Sequence, residues 1–535
     1  MSLPKPLLRL LNKTIIVVMN VYFFIVHLAY WFYNLFTTRI YVTPPTNELL
    51  QISATQAADM IGNRQLKSEE LIEAYIQRID QVNKVINAVV VKNYEEARAE
   101  ARDLDLRIVD MDDDELAEHM EKHPLAGVPF TMKDAFEVEG KVITCGIWNR
   151  RNTVCTRTAE VVQRMKDAGG ILLAITNVPE VCMWVESVNT LYGRTNNPYD
   201  ARRMCGGSSG GEGALIGAAA SLVGIGSDIG GSIRMPAFFN GIFGLKPTPG
   251  TVSIEGAVPR VSGYKTQMLR VGPMCRFAED LPLILKIMGG TNVENLRLDE
   301  HVSLRKIRVF YQEGIASTAN AFIQPLDWEM RSALRRSIRY LESKYDLVSH
   351  RMDLPLFRHA IEFFITSMEV KGEPTMSQYM LCSEGKQGTV NCWLELPKFF
   401  LGKSKHTLAG IITGLIDGSN TMTDAMKKDF YSKRDRLIRE MKELLGTDGI
   451  FLFPSWPCTS LFHNQPLLSP INFAYTSLFN SLAMPVVQCP MGLDRNGLPL
   501  GVQVIGAPGS DRLLIAIAKD LEEGFGGYIP PQPTS

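Results

Sequence analysis

The chain has 535 residues, of which 45% are hydrophobic and 21% charged, a globular composition that can bury a large core and lacks the polar bias of disorder. Lys+Arg 56 against Asp+Glu 57 leaves a net charge of -1, which removes the basic excess of a nucleic-acid binder, so no nucleic-acid partner is expected. Nine cysteines without a CxxC pair, and eight histidines without HExxH or zinc spacing, support neither a disulfide scaffold nor a metal site, and no cofactor is expected.

Residues 14–38 contain no Lys, Arg, Asp or Glu. At about 1.5 Å per residue they are long enough to cross about 30 Å of hydrocarbon as one transmembrane helix. A cleaved signal peptide would need a small-x-small site, which His27-Leu28-Ala29-Tyr30-Trp31-Phe32 does not offer. Tyr30, Trp31 and Tyr33 suit an interfacial aromatic belt. Asn20, His27 and Asn34 recur on one helical stripe, as tolerated polar residues or as hydrogen-bonding groups of a helix pair. Lys5, Arg9 and Lys13 precede the span and only Arg39 follows closely, which places the N-terminus in the cytosol and the body in a lumen. Positions 40–535 hold no N-x-S/T acceptor, which weighs towards the cytosol instead. The charge bias acts on insertion itself and carries more weight. The expectation is a single-pass protein of the endoplasmic reticulum or another intracellular membrane, lumenal side slightly favoured.

Thr43-Pro44-Pro45-Thr46 reads as a stiff linker, and Ser68-Glu69-Glu70 opens a helix with Leu71, Ile72, Tyr75, Ile76 and Ile79 on one face. Asp112-Asp113-Asp114-Glu115 reads as a solvated surface helix or loop. The apolar run from Gly127 to Met132, the amphipathic segment from Val161 to Ala168 and the apolar run from Ile171 to Ile175 give strand, helix and strand, an α/β signature. No repeat or low-complexity linker divides positions 47–527, so one large domain is expected. Leu396 to Ile416 mixes apolar residues with Lys398, Lys403, Lys405 and His406, and reads as an amphipathic core helix or as a segment lying on a membrane surface. Pro530-Pro531-Gln532-Pro533 is expected to be a loose tail.

The informative region runs from Cys205-Gly206-Gly207-Ser208-Ser209-Gly210-Gly211-Glu212-Gly213 to Gly226-Ser227-Asp228-Ile229-Gly230-Gly231-Ser232-Ile233-Arg234-Met235-Pro236. A phosphate loop needs GxxxxGK[ST], but Glu212 follows Gly211 and its charge would repel phosphate. Gly206, Ser208 and Gly210 satisfy the G-x-S-x-G nucleophile elbow, which requires a strand directly before it, whereas Asn196 to Arg203 is turn-rich and polar. A third reading pairs serine with lysine: where no histidine serves, a neutral Lys can take the proton of a nucleophilic Ser. Lys133 is the candidate, because it ends the apolar run Val128 to Met132 and can be buried, and a buried amine holds its proton less tightly.

The run from Gly206 to Pro236, preceded by Gly127-Val128-Pro129-Phe130-Thr131-Met132-Lys133-Asp134, resembles the amidase signature family, as do Thr176-Asn177-Val178-Pro179-Glu180, Leu191 to Asp200, Gly272-Pro273-Met274-Cys275 and Asn472-Phe473-Ala474-Tyr475-Thr476. The resemblance covers about positions 50 to 527. It implies an α/β amidase signature fold, a mixed central β-sheet enclosed by helices, with the transmembrane helix in addition, and often a homodimer. It also implies a Ser-Ser-Lys triad: Ser232 as nucleophile, Ser208 as proton relay behind a cis peptide, and Lys133 as base. The N–H groups of Ile229, Gly230, Gly231 and Ser232 would form the oxyanion hole, with Asp228 and Arg234 bracing the turn. Where lipid amidases of the family place Met in the acyl pocket, this chain has Cys182, which leaves acyl-chain length open. The expected divisions are tail 1–13, transmembrane anchor 14–38, linker 39–49, amidase domain 50–527 and tail 528–535. The expected function is a membrane-anchored serine hydrolase of fatty-acid amides. The alternatives are a hydrolase of small polar amides, including the aminoacyl-tRNA amidotransferase type, and a catalytically silent lipid-binding protein.

Overall fold

The computed structural model describes residues 5–315, 322–382, 384–385, 387–417 and 422–533. Part of each expected tail, 1–4 and 534–535, lies outside them. Eleven strands form one sheet in the spatial order Val89–Lys92, Ile171–Thr176, Pro129–Lys133, Val223–Asp228, Arg270–Cys275, Phe243–Lys246, Val486–Leu493, Pro499–Ile505, Gly449–Pro454, Arg308–Tyr311 and Ser349–Arg351. The sheet is mixed: Pro129–Lys133 is parallel to both its neighbours, Arg308–Tyr311 is parallel to both of its own, and the other pairs are antiparallel. Ile171–Thr176 and Pro129–Lys133 are buried at every position, as strands covered on both faces must be.

The helix expected at Ser68 spans Ser68–Ile86, but Ser68 lies in its first turn and does not cap it. Asp105 accepts the Ser68 and Glu69 N–H groups instead, and the Ser68 hydroxyl donates to Gly127 O. The acidic run has a local purpose: Asp112 caps helix Asp113–Lys122, with Glu115 completing the capping box.

The N-terminal apolar stretch is helical from Lys5 to Asn34, beginning inside the expected tail and ending before residue 38. Its segment Thr14–Asn34 is long and apolar enough to cross a membrane. One face rests on the body: the Tyr22 hydroxyl donates to Leu468 O, Phe23 and Val26 are buried, and Arg202 donates to the carbonyls of Asn34 and Thr37. Leu396 to Ile416 is two helices and not one. Cys392–Phe400 and Leu408–Asp417 are separated by a turn in which Gly402 takes φ +67°. The chain is held as far as Pro531, since Tyr528 donates to Gly217 O, Tyr199 donates to Ile529 O and Pro531 is buried, while Gln532 and Pro533 are exposed.

Candidate active site

Three parallel strands end side by side, and that fixes the site. Lys133 closes the middle strand, opposite Thr176 at the end of one neighbour, while Met132 pairs with Ile225 of the other. The second neighbour ends at Ser227 and Asp228 and runs directly into the turn Ile229 to Ser232. Carboxyl ends of adjacent parallel strands open on one side of a sheet, where backbone groups are left for a ligand.

Lys133 is 1% exposed and donates from Nζ to Ser208 Oγ at 2.6 Å and to Ser227 Oγ at 2.9 Å. Ser208 is 2% and Ser232 7% exposed, and the Gly207–Ser208 peptide is cis. Among the described residues no hydrogen bond joins Ser208 to Ser232. Their nearness is set through the next residue, since Ser209 N–H donates to Ser232 O at 3.1 Å. The Ser209 hydroxyl donates to Ser227 O at 3.3 Å and has no hydrogen bond to Lys133 among the described residues.

The turn carrying Ser232 is braced from below. Arg234 donates to Asp228 from Nε and Nη2, both at 3.0 Å, and to Thr476 O, Gln503 Oε1 and Asn480 Oδ1, which occupies all five guanidinium protons. Asp228 also accepts the N–H groups of Gly231 at 2.7 Å and Ile233 at 3.1 Å. Burial alone would raise the Asp228 carboxyl, but the Arg234 guanidinium outweighs it and holds the group well below the usual carboxylate range. Gly231 sits at φ +124°, and a Cβ there would stand 2.1 Å from Thr476 Oγ1, so only glycine fits. That threonine in turn donates to Gly230 O at 2.7 Å.

This network makes the four N–H groups of the turn unequal. The Gly231 N–H is taken by Asp228 and is not free for a ligand, whereas the N–H groups of Ile229, Gly230 and Ser232 have no protein partner among the described residues. Asp228→Asn removes the counter-charge of a fully buried guanidinium and is expected to cost about 3–5 kcal/mol of stability. Thermal unfolding in detergent checks this, and a midpoint equal to that of the wild type would contradict the bracing role.

Glu212 lies beneath the site and does not face a ligand. Its oxygens accept from Thr131 Oγ1 and Thr176 Oγ1, each at 2.7 Å, and burial pushes its pKa up to about 8. The charge that seemed to bar phosphate is therefore largely absent at neutral pH, while the loop still lacks the P-loop lysine. A carboxyl raised from about 4.3 in the unfolded chain keeps in the native state a proton that the unfolded chain releases. Its contribution is complete below about pH 4.3 and is lost as pH rises towards about 8. Glu212→Gln, neutral at every pH, should gain on the wild type by up to about 1.4 kcal/mol per pH unit across that window. Parallel melting curves from pH 6 to 9 would contradict this.

The run read as turn-rich and polar does hold a strand directly before the glycine loop, Asp200–Met204, but it pairs with Asn196–Asn197 in a separate two-stranded ribbon and not in the main sheet. Ser227 and Thr476 lie in stretches that match the family without a role of their own there, and Asn480 and Gln503 carry no local signal in the sequence.

The Amidase family model matches residues 70–515. Fatty-acid amide hydrolase 2 of Homo sapiens is 40% identical over 492 residues, covering 91% of this chain and 92% of its own. Fatty-acid amide hydrolase 2-A of Danio rerio is 42% identical over 500 residues, covering 92% of each chain. A solved structure of fatty acid amide hydrolase shares the fold with a TM-score of 0.70 and 21% identity, over 99% of this chain and 92% of that one. The chain therefore belongs to the amidase signature family and is an amide-cleaving hydrolase.

Proposed function

We propose that this protein is a membrane-anchored serine hydrolase that cleaves fatty-acid amides to fatty acid and amine through an acyl-enzyme on Ser232. The observation that carries the reading is the buried Lys133 Nζ at 2.6 Å from Ser208 Oγ, beside the turn that ends in Ser232. Ser232 Oγ attacks the amide carbonyl and its proton passes through Ser208 to the Lys133 amine. The carbonyl oxygen, now negative, is met by the N–H groups of Ile229, Gly230 and Ser232. The proton returns through Ser208 to the amine nitrogen as the C–N bond breaks, and water then releases the acyl group by the same route in reverse.

A lipid substrate is supported by three features. The relatives named above are fatty-acid amide hydrolases. An apolar cluster containing Cys182, Met183, Met380, Leu396, Phe399 and Ile411 extends from the edge of the site to helix Cys392–Phe400. That helix presents Trp393 and Phe400, each 73% exposed, and Leu401 beside it is 70% exposed. Such a face suits insertion at a bilayer surface, with Lys398 and Lys403 at headgroup level. Oleamide should be hydrolysed at a far higher kcat/KM than acetamide, and the reverse order would overturn the lipid assignment. Carbonate-washed membranes should retain the full chain, and deletion of residues 1–39 should weaken attachment. Complete release of the full chain would refute the anchor, whereas residual attachment of the truncated form would assign the remainder to Trp393, Phe400 and Leu401.

A further inference from the structure

Two cysteines distant in sequence meet at the rim of the site. All nine cysteines are free, and the sulfurs of Cys145 and Cys182 lie 3.4 Å apart. Their backbones are tied together, since Val181 N–H donates to Cys145 O at 2.9 Å. Cys145 follows Thr144, whose N–H donates to the Asp134 carboxylate at 2.8 Å and whose hydroxyl bonds to it as well; Asp134 is the residue next to Lys133. Cys182 closes the short turn Glu180–Cys182 and packs in one apolar cluster with Cys145 and Ala135, two residues past Lys133.

The turn is gripped from its other side. Glu180 is buried and accepts from Thr407 N–H at 2.9 Å and from its hydroxyl at 3.0 Å, while its second oxygen meets His406 Nδ1 at 2.7 Å. Cys145, Val181 and Cys182 all take left-handed backbone, at φ 53°, 59° and 56°. That region is disfavoured for any residue with a Cβ and most of all for valine. Three such residues around one sulfur pair mark a segment held in place by its surroundings.

We propose that Cys145 and Cys182 form a redox-sensitive thiol pair that closes to a disulfide under peroxide and reversibly disables the Ser208 relay beside it. The Cys182 thiolate attacks one oxygen of hydrogen peroxide, the O–O bond breaks, and hydroxide leaves and is protonated to water, giving a sulfenic acid. The Cys145 sulfur then attacks the Cys182 sulfur, the S–S bond forms, the S–O bond breaks, and a second water departs. Two thiols and one peroxide become one disulfide and two waters, with two electrons passing from sulfur to oxygen. Cys182 is the attacking group because it is partly exposed while Cys145 is buried. Burial opposes its ionisation, but the hydrogen bond it shares with Cys145 pulls the other way, and its thiol is set below the ordinary value.

A disulfide needs its sulfurs at about 2.05 Å, well inside the present 3.4 Å, so closure must shift the segments that carry the two cysteines, one of which is bonded through Thr144 to Asp134, next to Lys133. Displacements of about 1 Å in a reacting group cost on the order of 10²-fold in rate. The effect on activity rests on the proposed roles of Lys133, Ser208 and Ser232, whereas formation of the disulfide does not.

The test uses full-length protein in membranes, wild type and Cys145→Ser, treated with hydrogen peroxide and then with dithiothreitol. Non-reducing peptide mass spectrometry scores the 145–182 cross-link, and oleamide hydrolysis scores the site. The wild type should form the cross-link and lose at least about 10-fold in turnover on the same time course, and dithiothreitol should reverse both. Cys145→Ser should form no cross-link and keep its own starting turnover through the treatment. Absence of the cross-link in the wild type, a cross-link without loss of turnover, or the same reversible loss in Cys145→Ser would overturn the proposal. Should Cys145→Ser not fold, the matched time courses of cross-link and turnover in the wild type decide. A wild type that never hydrolyses oleamide would count against the functional reading, and the cross-linked peptide would still report on the thiol pair.

Discussion

Ser232→Ala is expected to abolish amide turnover, a loss on the order of 10³-fold or more. The size follows from the geometry. Ser232 ends the turn that the Asp228–Arg234 pair holds rigid, and its own N–H is one of three donors with no protein partner among the described residues. Alanine keeps that N–H, the turn and the fold, and removes only the oxygen that bonds to the acyl carbon in the proposed mechanism. Other hydroxyls are near, but Ser227 and Ser208 accept from Lys133 and the Ser209 hydroxyl donates to a backbone carbonyl. Steady-state hydrolysis of oleamide by the purified variant checks this, and a loss of less than about 10-fold would mean that another group attacks.

Lys133→Ala is expected to lower amide turnover by about 10² to 10⁴-fold, the usual worth of a general acid-base group, and to spare esters. An amide nitrogen leaves only when protonated, while an ester oxygen departs more readily without that help. Ser208 can relay a proton but cannot store one, and Lys133 is the buried amine that donates to it at 2.6 Å. Removing the amine therefore penalises the amide more heavily. Matched oleoyl amide and ester substrates measured side by side should show the ratio of their rates moving towards ester. Equal losses on both would place the proton on a different group.

How far the site could be read from the sequence follows from where its parts lie along the chain. Lys133, Ser208 and Ser232 stand in two compact motifs, each at a strand end or tight turn, and glycine spacing alone marks the second as unusual. Thr476, Asn480 and Gln503 reach Arg234 across more than two hundred residues of chain, the first two from helix Ala474–Ser481 and the third from strand Pro499–Ile505, and that packing leaves no local trace. Ser227 looks like any strand residue until the parallel register sets it beside Lys133. The ionisation of Glu212 depends on burial, which composition does not report, so a charge was expected where the fold keeps a proton. The four successive N–H groups of the glycine turn look equivalent in the sequence, and the Asp228 carboxylate, by accepting that of Gly231, makes them unequal. The strands and helices around Lys133 were legible because buried parallel strands are continuous apolar runs. The break between Cys392–Phe400 and Leu408–Asp417 depends on one left-handed glycine inside an otherwise helical pattern.

The central claim is that Ser232 carries the acyl group. Its most direct test is to label the full-length protein with a fluorophosphonate, digest it and locate the adduct by mass spectrometry, with and without competing long-chain amide. The account predicts the adduct on Ser232, suppressed by oleamide far more than by acetamide. An adduct on Ser208 or Ser209 with Ser232 unmodified would contradict it.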